Sequence, residues 1–281
     1  MIHRFAIALI VFCTVPGCEA ARNILSGMDK PTARITGAKL SSLNLDGATL
    51  VFDVDVANPY AVALPLVNLD YALASKGSKF LEGAANVQGT IPAKGSRTLQ
   101  VPATVAFSHL LKTVSGIKPG SVVPYTADLG LSVDAPGVGP LKLPLRKEGE
   151  LPVPTVPSVD LKSVEWKSLD LNKAEAVLHL NIGNNNQFAV DLSSLAYDLA
   201  LGDKKVAAAS VASAAKFSAG GAADLSIPIS IRPIDLGLGA LQMFSGKGGG
   251  YKIAGSLTGA TPFGPLTLPY EKTGQTVFNR K

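Results

Sequence analysis

The chain has 281 residues, of which 47% are apolar but only 6% aromatic, and it carries a net charge of +5. Its basic residues are scattered (Lys76, Lys79, Lys94, Arg97, Lys204, Lys205) with few rings between them, which argues against a nucleic-acid platform built from clustered cations and stacking aromatics. After the first residues no run of 18 or more apolar residues occurs, so no internal transmembrane helix is expected. Cys13 and Cys18 are the two cysteines, too few for a disulfide framework or a cysteine metal site.

The N-terminus reads as an export signal. Met1-Ile2-His3-Arg4 carries positive charge, and Phe5 to Val15 is an apolar stretch too short to span a bilayer. Val15-Pro16-Gly17-Cys18 then resembles a bacterial lipobox, with an aliphatic residue, a small residue and the cysteine that becomes the acylated N-terminus; Pro16 departs from the usual residue at its position. Residues 1–17 are therefore expected to be a lipoprotein-type signal peptide and 18–33 a lipidated tether. At about 0.8 kcal/mol per buried CH₂, several acyl chains on Cys18 would hold the protein at a membrane. Glu19 after the cysteine favours outer-membrane sorting, on the periplasmic side of the cell envelope.

Downstream, the chain is written twice. At an offset of 126 residues Leu43 falls on Leu169, Asn58 on Asn184, Leu66 on Leu192, Tyr71 on Tyr197, Gly95 on Gly221, Pro102 on Pro228 and Tyr125 on Tyr251. One residue is then lost, and Gly139-Pro140-Leu141 falls on Gly264-Pro265-Leu266. A unit this long is domain-sized rather than a solenoid repeat. The expected boundaries are 34–150 for the first domain, 151–157 for a stiff Pro-rich connector, and 158–281 for the second domain.

Within a copy the signal has period two. Leu50, Phe52, Val54 and Val56 share one face, with Asp53 and Asp55 on the other. Ala176, Leu178, Leu180 and Ile182 repeat the inward set, with His179 and Asn181 outward. This predicts half-buried antiparallel strands with one wet face. Each runs into a turn, Ala57-Asn58-Pro59-Tyr60 or Gly183-Asn184-Asn185-Asn186, and Asn and Pro are turn formers by mechanism. The return strand changes parity between Leu66 and Leu69, which predicts a bulge or bend. Pro102 and Pro228 place the next strand at a sheet edge or bulge. Ser108 to Thr113 and Asp235 to Phe244 are predicted as one short helix per copy, with Ser or Asp caps, and a hairpin follows, Tyr125 to Val133 with Leu141 to Leu145. Many short strands punctuated by turns predict an all-β chain: two tandem immunoglobulin/fibronectin-III-like antiparallel β-sandwiches, each with one short helix.

The strand Val54-Asp55-Val56 ending in Ala57-Asn58-Pro59-Tyr60, followed by Leu66, Leu69 and Tyr71, resembles the WHy domain (water stress and hypersensitive response) of the late embryogenesis abundant type 2 family. The second copy keeps Asn184 and Tyr197 but has Asn185 in place of the proline. The resemblance covers nearly all of residues 34–281 and is similar to that of tandem-domain bacterial lipoproteins. It implies a sandwich fold, an association with desiccation or osmotic stress, and protection of other proteins from inactivation.

No catalytic constellation stands out. His3 leaves with the signal, and His109 and His179 are isolated and read as surface residues, short of the three or four convergent ligands zinc needs. Asp53 and Asp55 become His179 and Asn181 in the second copy, so a shared cation site is not expected. Asn58, Pro59 and Asn184 are read as turn residues, and Tyr71 and Tyr197 as core rings with a bonded hydroxyl. Gly246-Lys247-Gly248-Gly249-Gly250 lacks the lysine-serine pair of a phosphate loop. The expectation is a non-enzyme without metal or cofactor, anchored through Cys18, that protects client proteins through weak contacts. The alternatives are an envelope protein binding lipid or another apolar ligand between its sheets, and a structural adaptor that recruits a partner strand to a sheet edge.

Overall fold

The computed structural model describes residues 29–85, 87–137, 139–170, 172–202, 204–232 and 249–276. The described part of the chain is all-β apart from one short helix, and its strands form four antiparallel sheets, two in each half. In the first half β1 (Thr32–Leu43), β2 (Gly47–Ala57) and β6 (Ser96–Ala106) form one sheet in the order β1-β2-β6. The facing sheet holds β3 (Leu64–Ser75), β4 (Ser78–Ala85), β7 (Val122–Ala135) and β8 (Gly139–Pro152) in the order β4-β3-β7-β8, with the two-residue β5 (Thr90–Ile91) beside β3. The second half repeats this arrangement with β9 (Ser158–Leu169), β10 (Ala174–Gly183) and β13 (Ala222–Ile231) in the order β13-β10-β9. Opposite them lie β11 (Val190–Leu201), β12 (Lys204–Phe217), β14 (Gly249–Thr261) and β15 (Gly264–Thr276) in the order β12-β11-β14-β15. Shifted by 126 residues, β1 falls on β9 and β3 on β11 end for end, so the internal repeat is a repeat of topology.

The alternation of apolar residues builds each core. Leu50, Phe52, Val54 and Val56 of β2 are buried against Leu69 and Leu73 of β3 and Leu129, Leu131 and Val133 of β7 in one cluster. Phe52 meets the Tyr125 ring of the other sheet edge-on, with centroids 6.5 Å apart, a geometry that adds to area burial. Leu178, Leu180 and Ile182 of β10 join Leu195, Tyr197, Leu199 and Ile253 in a separate second core. Two closed cores, each contributed by two sheets, make two tandem sandwiches.

The parity change in β3 is a bulge: its register against β7 shifts between Leu66 and Asn68, and β11 shifts at the matching Leu192/Ser194. Pro102 and Pro228 lie in β6 and β13, both at sheet edges, where a residue without an N–H leaves no ladder bond unmade. Three expectations need correction or fall elsewhere. The helix α1 spans Phe107–Thr113 and is capped at Ala106 with no side-chain bond, so Ser108 is not a cap. Phe107 and Leu110, buried in the first core, hold it instead. The helix expected over 235–244 lies outside the described residues. Finally, the stiff connector expected over 151–157 starts later than residue 151: Leu151 and Pro152 complete β8, and Leu151 and Val153 are buried in the first core.

Candidate functional site

The strand-to-strand corners at one end of each sandwich carry the residues singled out from the sequence. Asn58 closes β2 and is almost wholly buried. Its Nδ2 donates to the carbonyls of Val62 (2.8 Å), Pro92 (3.0 Å) and Ile91 (3.2 Å), and its Oδ1 accepts from the Tyr60 N–H (2.9 Å). Its own N–H donates to the Gly95 carbonyl (2.8 Å). The amide thereby ties the β2–β3 loop to the β5–β6 turn. Asn184 does the same in the second copy: Nδ2 donates to Phe188 (2.7 Å) and Ser218 (3.0 Å), Oδ1 accepts from the Asn186 N–H (3.1 Å), and its N–H donates to Gly221 (2.8 Å). Every partner of Asn184 sits 126 residues after its counterpart. A buried amide whose oxygen and nitrogen are both bonded to the backbone is a structural corner, because each group left unpaired would cost about 1–3 kcal/mol.

The two poles then diverge. In the first copy the loop continues as Pro59-Tyr60-Ala61-Val62-Ala63, with Val62 52% exposed. In the second copy the aligned residues are Asn185-Asn186-Gln187-Phe188-Ala189, where Asn186 is 2% and Phe188 4% exposed. They are covered by the far end of the first sandwich and the connector. Asn186 Oδ1 accepts from the Thr155 N–H (2.8 Å), Asn185 Nδ2 donates to Val156 (2.9 Å), and the Gln187 N–H donates to Gly120 (2.7 Å). Phe188 packs edge-on against Phe263 at 5.7 Å, in a cluster with Val190, Leu266 and Leu268 that meets Leu43, Leu45 and Val122 of the first half. The asparagine run that blurs the motif in the second copy is therefore a staple for the connector.

Tyrosines mark a second repeated feature, one that period-two reading passes over. Tyr125 lies across Gly149, its direct partner on the next strand, and Tyr251 lies across Gly274. A β-carbon on Gly149 would sit 2.6 Å from the Tyr125 hydroxyl, and one on Gly274 2.7 Å from the Tyr251 ring. Tyr71 covers Gly83 in the same way and is only half-buried, whereas Tyr197 is buried in the second core. Burial pushes the phenols of Tyr125 and Tyr197 above their ordinary value. Tyr270 is pushed furthest, by burial and then by Tyr197 and Asp198, and its hydroxyl donates to the Ala196 carbonyl at 3.1 Å.

The outward faces are charged and internally paired. Asp55 meets Arg34 at 3.1 Å, while Asp53 accepts from Gln100 (3.1 Å) and faces Lys39 (3.8 Å), so the two carboxylates answer different neighbours and do not converge. His179 faces Ser226 (3.0 Å) and Glu165 (3.4 Å), and His109 faces Thr113 (3.4 Å). Among the described residues no group of three or more His, Cys, Asp or Glu side chains is placed to hold a metal ion. Cys18 lies outside the described residues.

What this defines is a class: a duplicated sandwich domain whose second strand ends at a buried asparagine corner. The chain belongs to the late embryogenesis abundant protein family (LEA_2), whose model matches residues 53–149 and 179–274, one segment in each sandwich. It is 31% identical over 132 residues to a desiccation protectant protein Lea14 homolog of Glycine max, covering 47% of this chain and 87% of that protein. It is 28% identical over 131 residues to a probable desiccation-related protein LEA14 of Arabidopsis thaliana, with 47% and 87% covered. Each match has the length of one copy. Among solved structures, a solution structure from Arabidopsis thaliana is similar at 27% identity and TM-score 0.38, covering 46% of this chain and 85% of that one. A solution structure of a putative late embryogenesis abundant protein is similar at 25% identity and TM-score 0.40, with 49% and 81% covered.

Proposed function

We propose that this protein is a non-enzymatic stress protectant, held at the cell envelope through Cys18, that guards other proteins against loss of water. The observation that carries this reading is family membership over both copies, joined to relatives named for desiccation protection. The architecture is suited to the role. Each core is closed, and the outer surface carries ion pairs such as Lys142–Asp70 (2.8 Å), across the face of one sheet, and Lys272–Asp160 (2.7 Å), between the edge strands β15 and β9 of the second copy's two sheets, which present a hydrated, mixed-charge surface to clients. Such exposed pairs add little to stability; their effect is on solvation and on weak, broad contact. The reading with an apolar ligand between the sheets finds less support. The apolar cavity beside Ile182, Leu192, Phe217 and Leu257 measures about 20 Å³, whereas ligand pockets run from about 300 Å³ upward.

The test is protection of a labile enzyme through drying and rehydration. The chain from residue 18, with Cys18→Ser, is expected to preserve clearly more activity than an equal mass of albumin; parity with albumin counts against the reading. The anchor is tested separately by palmitate incorporation, expected in the full chain and lost with Cys18→Ala.

A further inference from the structure

The free pole of the first copy points to a second contact with the membrane. Pro59, Tyr60, Ala61 and Val62 line a shallow concavity of about 380 Å³ together with Pro136, Lys94 and Asp29. Val62, at 52%, is the most exposed large apolar side chain among the described residues. Residues 57 to 69 contain no charged side chain, so the tip is an uncharged apolar ridge with Lys94 and Asp29 beside it. Two observations say what covers it. First, the equivalent pole of the second copy is a docking surface: Asn186 grips the connector at Thr155, the Gln187 N–H donates to Gly120, and Phe188 is buried in a cluster that meets the first sandwich. Second, the chain enters β1 at this pole, where Thr32 pairs with Ala57 and Asp29 lines the concavity. Eleven residue steps separate Cys18 from Asp29, a reach of about 40 Å at most. The opposite end of the sandwich is a further ~40 Å away along twelve-residue strands. Acylation at Cys18 would thus hold this pole nearer the bilayer than the opposite end of the first sandwich.

We propose that the first copy's loop pole docks on a lipid surface containing anionic headgroups, with the exposed Val62 and the outer edge of the half-buried Tyr60 ring entering the interfacial layer and Lys94 meeting the headgroup charge. Tyrosine is suited to that depth, its ring apolar and its hydroxyl wet, and a lysine stem can lie along the ridge while its ammonium stays in water. The contact adds to the acyl anchor and fixes orientation: first copy down, second copy outward. It rests on the anchor reading, and the test is arranged so that the two fail separately.

Cys18 is the single cysteine of the chain from residue 18, so it can be coupled to a maleimide-headgroup lipid in vesicles of phosphatidylcholine and phosphatidylglycerol, whether or not a cell acylates it. Trp166 is buried in the second core and gives a constant background. With brominated acyl chains in the vesicles, the added emission of a Tyr60→Trp variant is expected to be quenched about two-fold or more, as for an interfacial ring. That of Val156→Trp, at an exposed position beyond the first sandwich, should stay unquenched. Adding Val62→Asp to Tyr60→Trp should remove the quenching while circular dichroism stays unchanged. Equal quenching at positions 60 and 156 overturns the proposal. So does a concentration-dependent oligomer of the uncoupled chain that dissolves with Val62→Asp, which would assign the pole to a second copy.

Discussion

The two poles share one framework and have opposite fates. Asn58 and Asn184 make the same corner with partners 126 residues apart. Immediately after it, Val62 is exposed and Tyr60 half-buried on the edge of the first core, where Asn186 and Phe188 are buried in a seam. Duplication has kept the residues that hold a sandwich together and has freed the five that follow to choose a partner. In the second copy that partner is the first domain. In the first, on the proposal above, it is a lipid surface.

The largest expected effect separates these fates. Phe188→Ala should cost about 4 kcal/mol, as a large ring lost from a packed site, and should loosen the seam so that calorimetry resolves two transitions. Val62→Ala at the aligned position should change stability by less than about 0.5 kcal/mol. Equal effects would erase the distinction between the poles. Next, Asn58→Ala and Asn184→Ala should each cost about 3 kcal/mol in urea titration, because several loop carbonyls and an N–H lose their partner at once. A mild effect at one position alone would mean that the corners are not equivalent. Gly149→Ala and Gly274→Ala should each cost about 2 kcal/mol by driving a β-carbon into the Tyr125 or Tyr251 ring. Tyr125→Leu should relieve the first and leave the second unchanged.

A smaller effect has the opposite sign. Lys76 and Lys94 have φ of +48° and +52°, and the aligned residues of the second copy are Gly202 (+55°) and Gly220 (+65°). A side chain in this left-handed region costs about 1 kcal/mol or more. Lys76→Gly and Lys94→Gly should therefore each raise the first copy's stability by roughly 1 kcal/mol, offset in part by the greater freedom of glycine in the unfolded chain. Loss of stability in both would show that the lysine side chains do more in the fold than the backbone reveals.

The smallest effect appears at high pH. Burial raises the Tyr270 phenol above 10.0, its unfolded value. A group raised in the folded state contributes stability that is intact below the unfolded value and fades as pH climbs through the folded one. The first copy has Leu145 at the aligned position. Alkaline titration above about pH 10 should therefore weaken the second copy first, and Tyr270→Phe should reduce that loss.

Much of the fold is legible in the sequence because burial writes itself as alternation: Phe52 and Leu178 lie inward, Asp53 and His179 outward, and the bulge after Leu66 shows as a slip in parity. The asparagine corners are legible as turn chemistry. What period-two reading hides are relations between distant residues. Nothing local says that Asn186 will grip Thr155, or that Gly149 is small because Tyr125 lies over it. The Pro-rich run 151–157 reads as a spacer from composition, yet Leu151 and Val153 find a core to enter, and burial outweighs the stiffness of the neighbouring prolines. Ser108 looks like a helix cap, but α1 starts a residue earlier because Phe107 is needed inside.

Hydrogen exchange at the aligned amides of Ala61 and Gln187 tests the open and closed poles most directly. Gln187 donates across the seam to Gly120 at 2.7 Å, and Ala61 lies in the exposed first-copy loop. Exchange at Gln187 should be slower by about 100-fold or more, reflecting an opening free energy of a few kcal/mol. Equal, fast exchange at both would mean that the second pole is as free as the first and that the two sandwiches do not form the seam described.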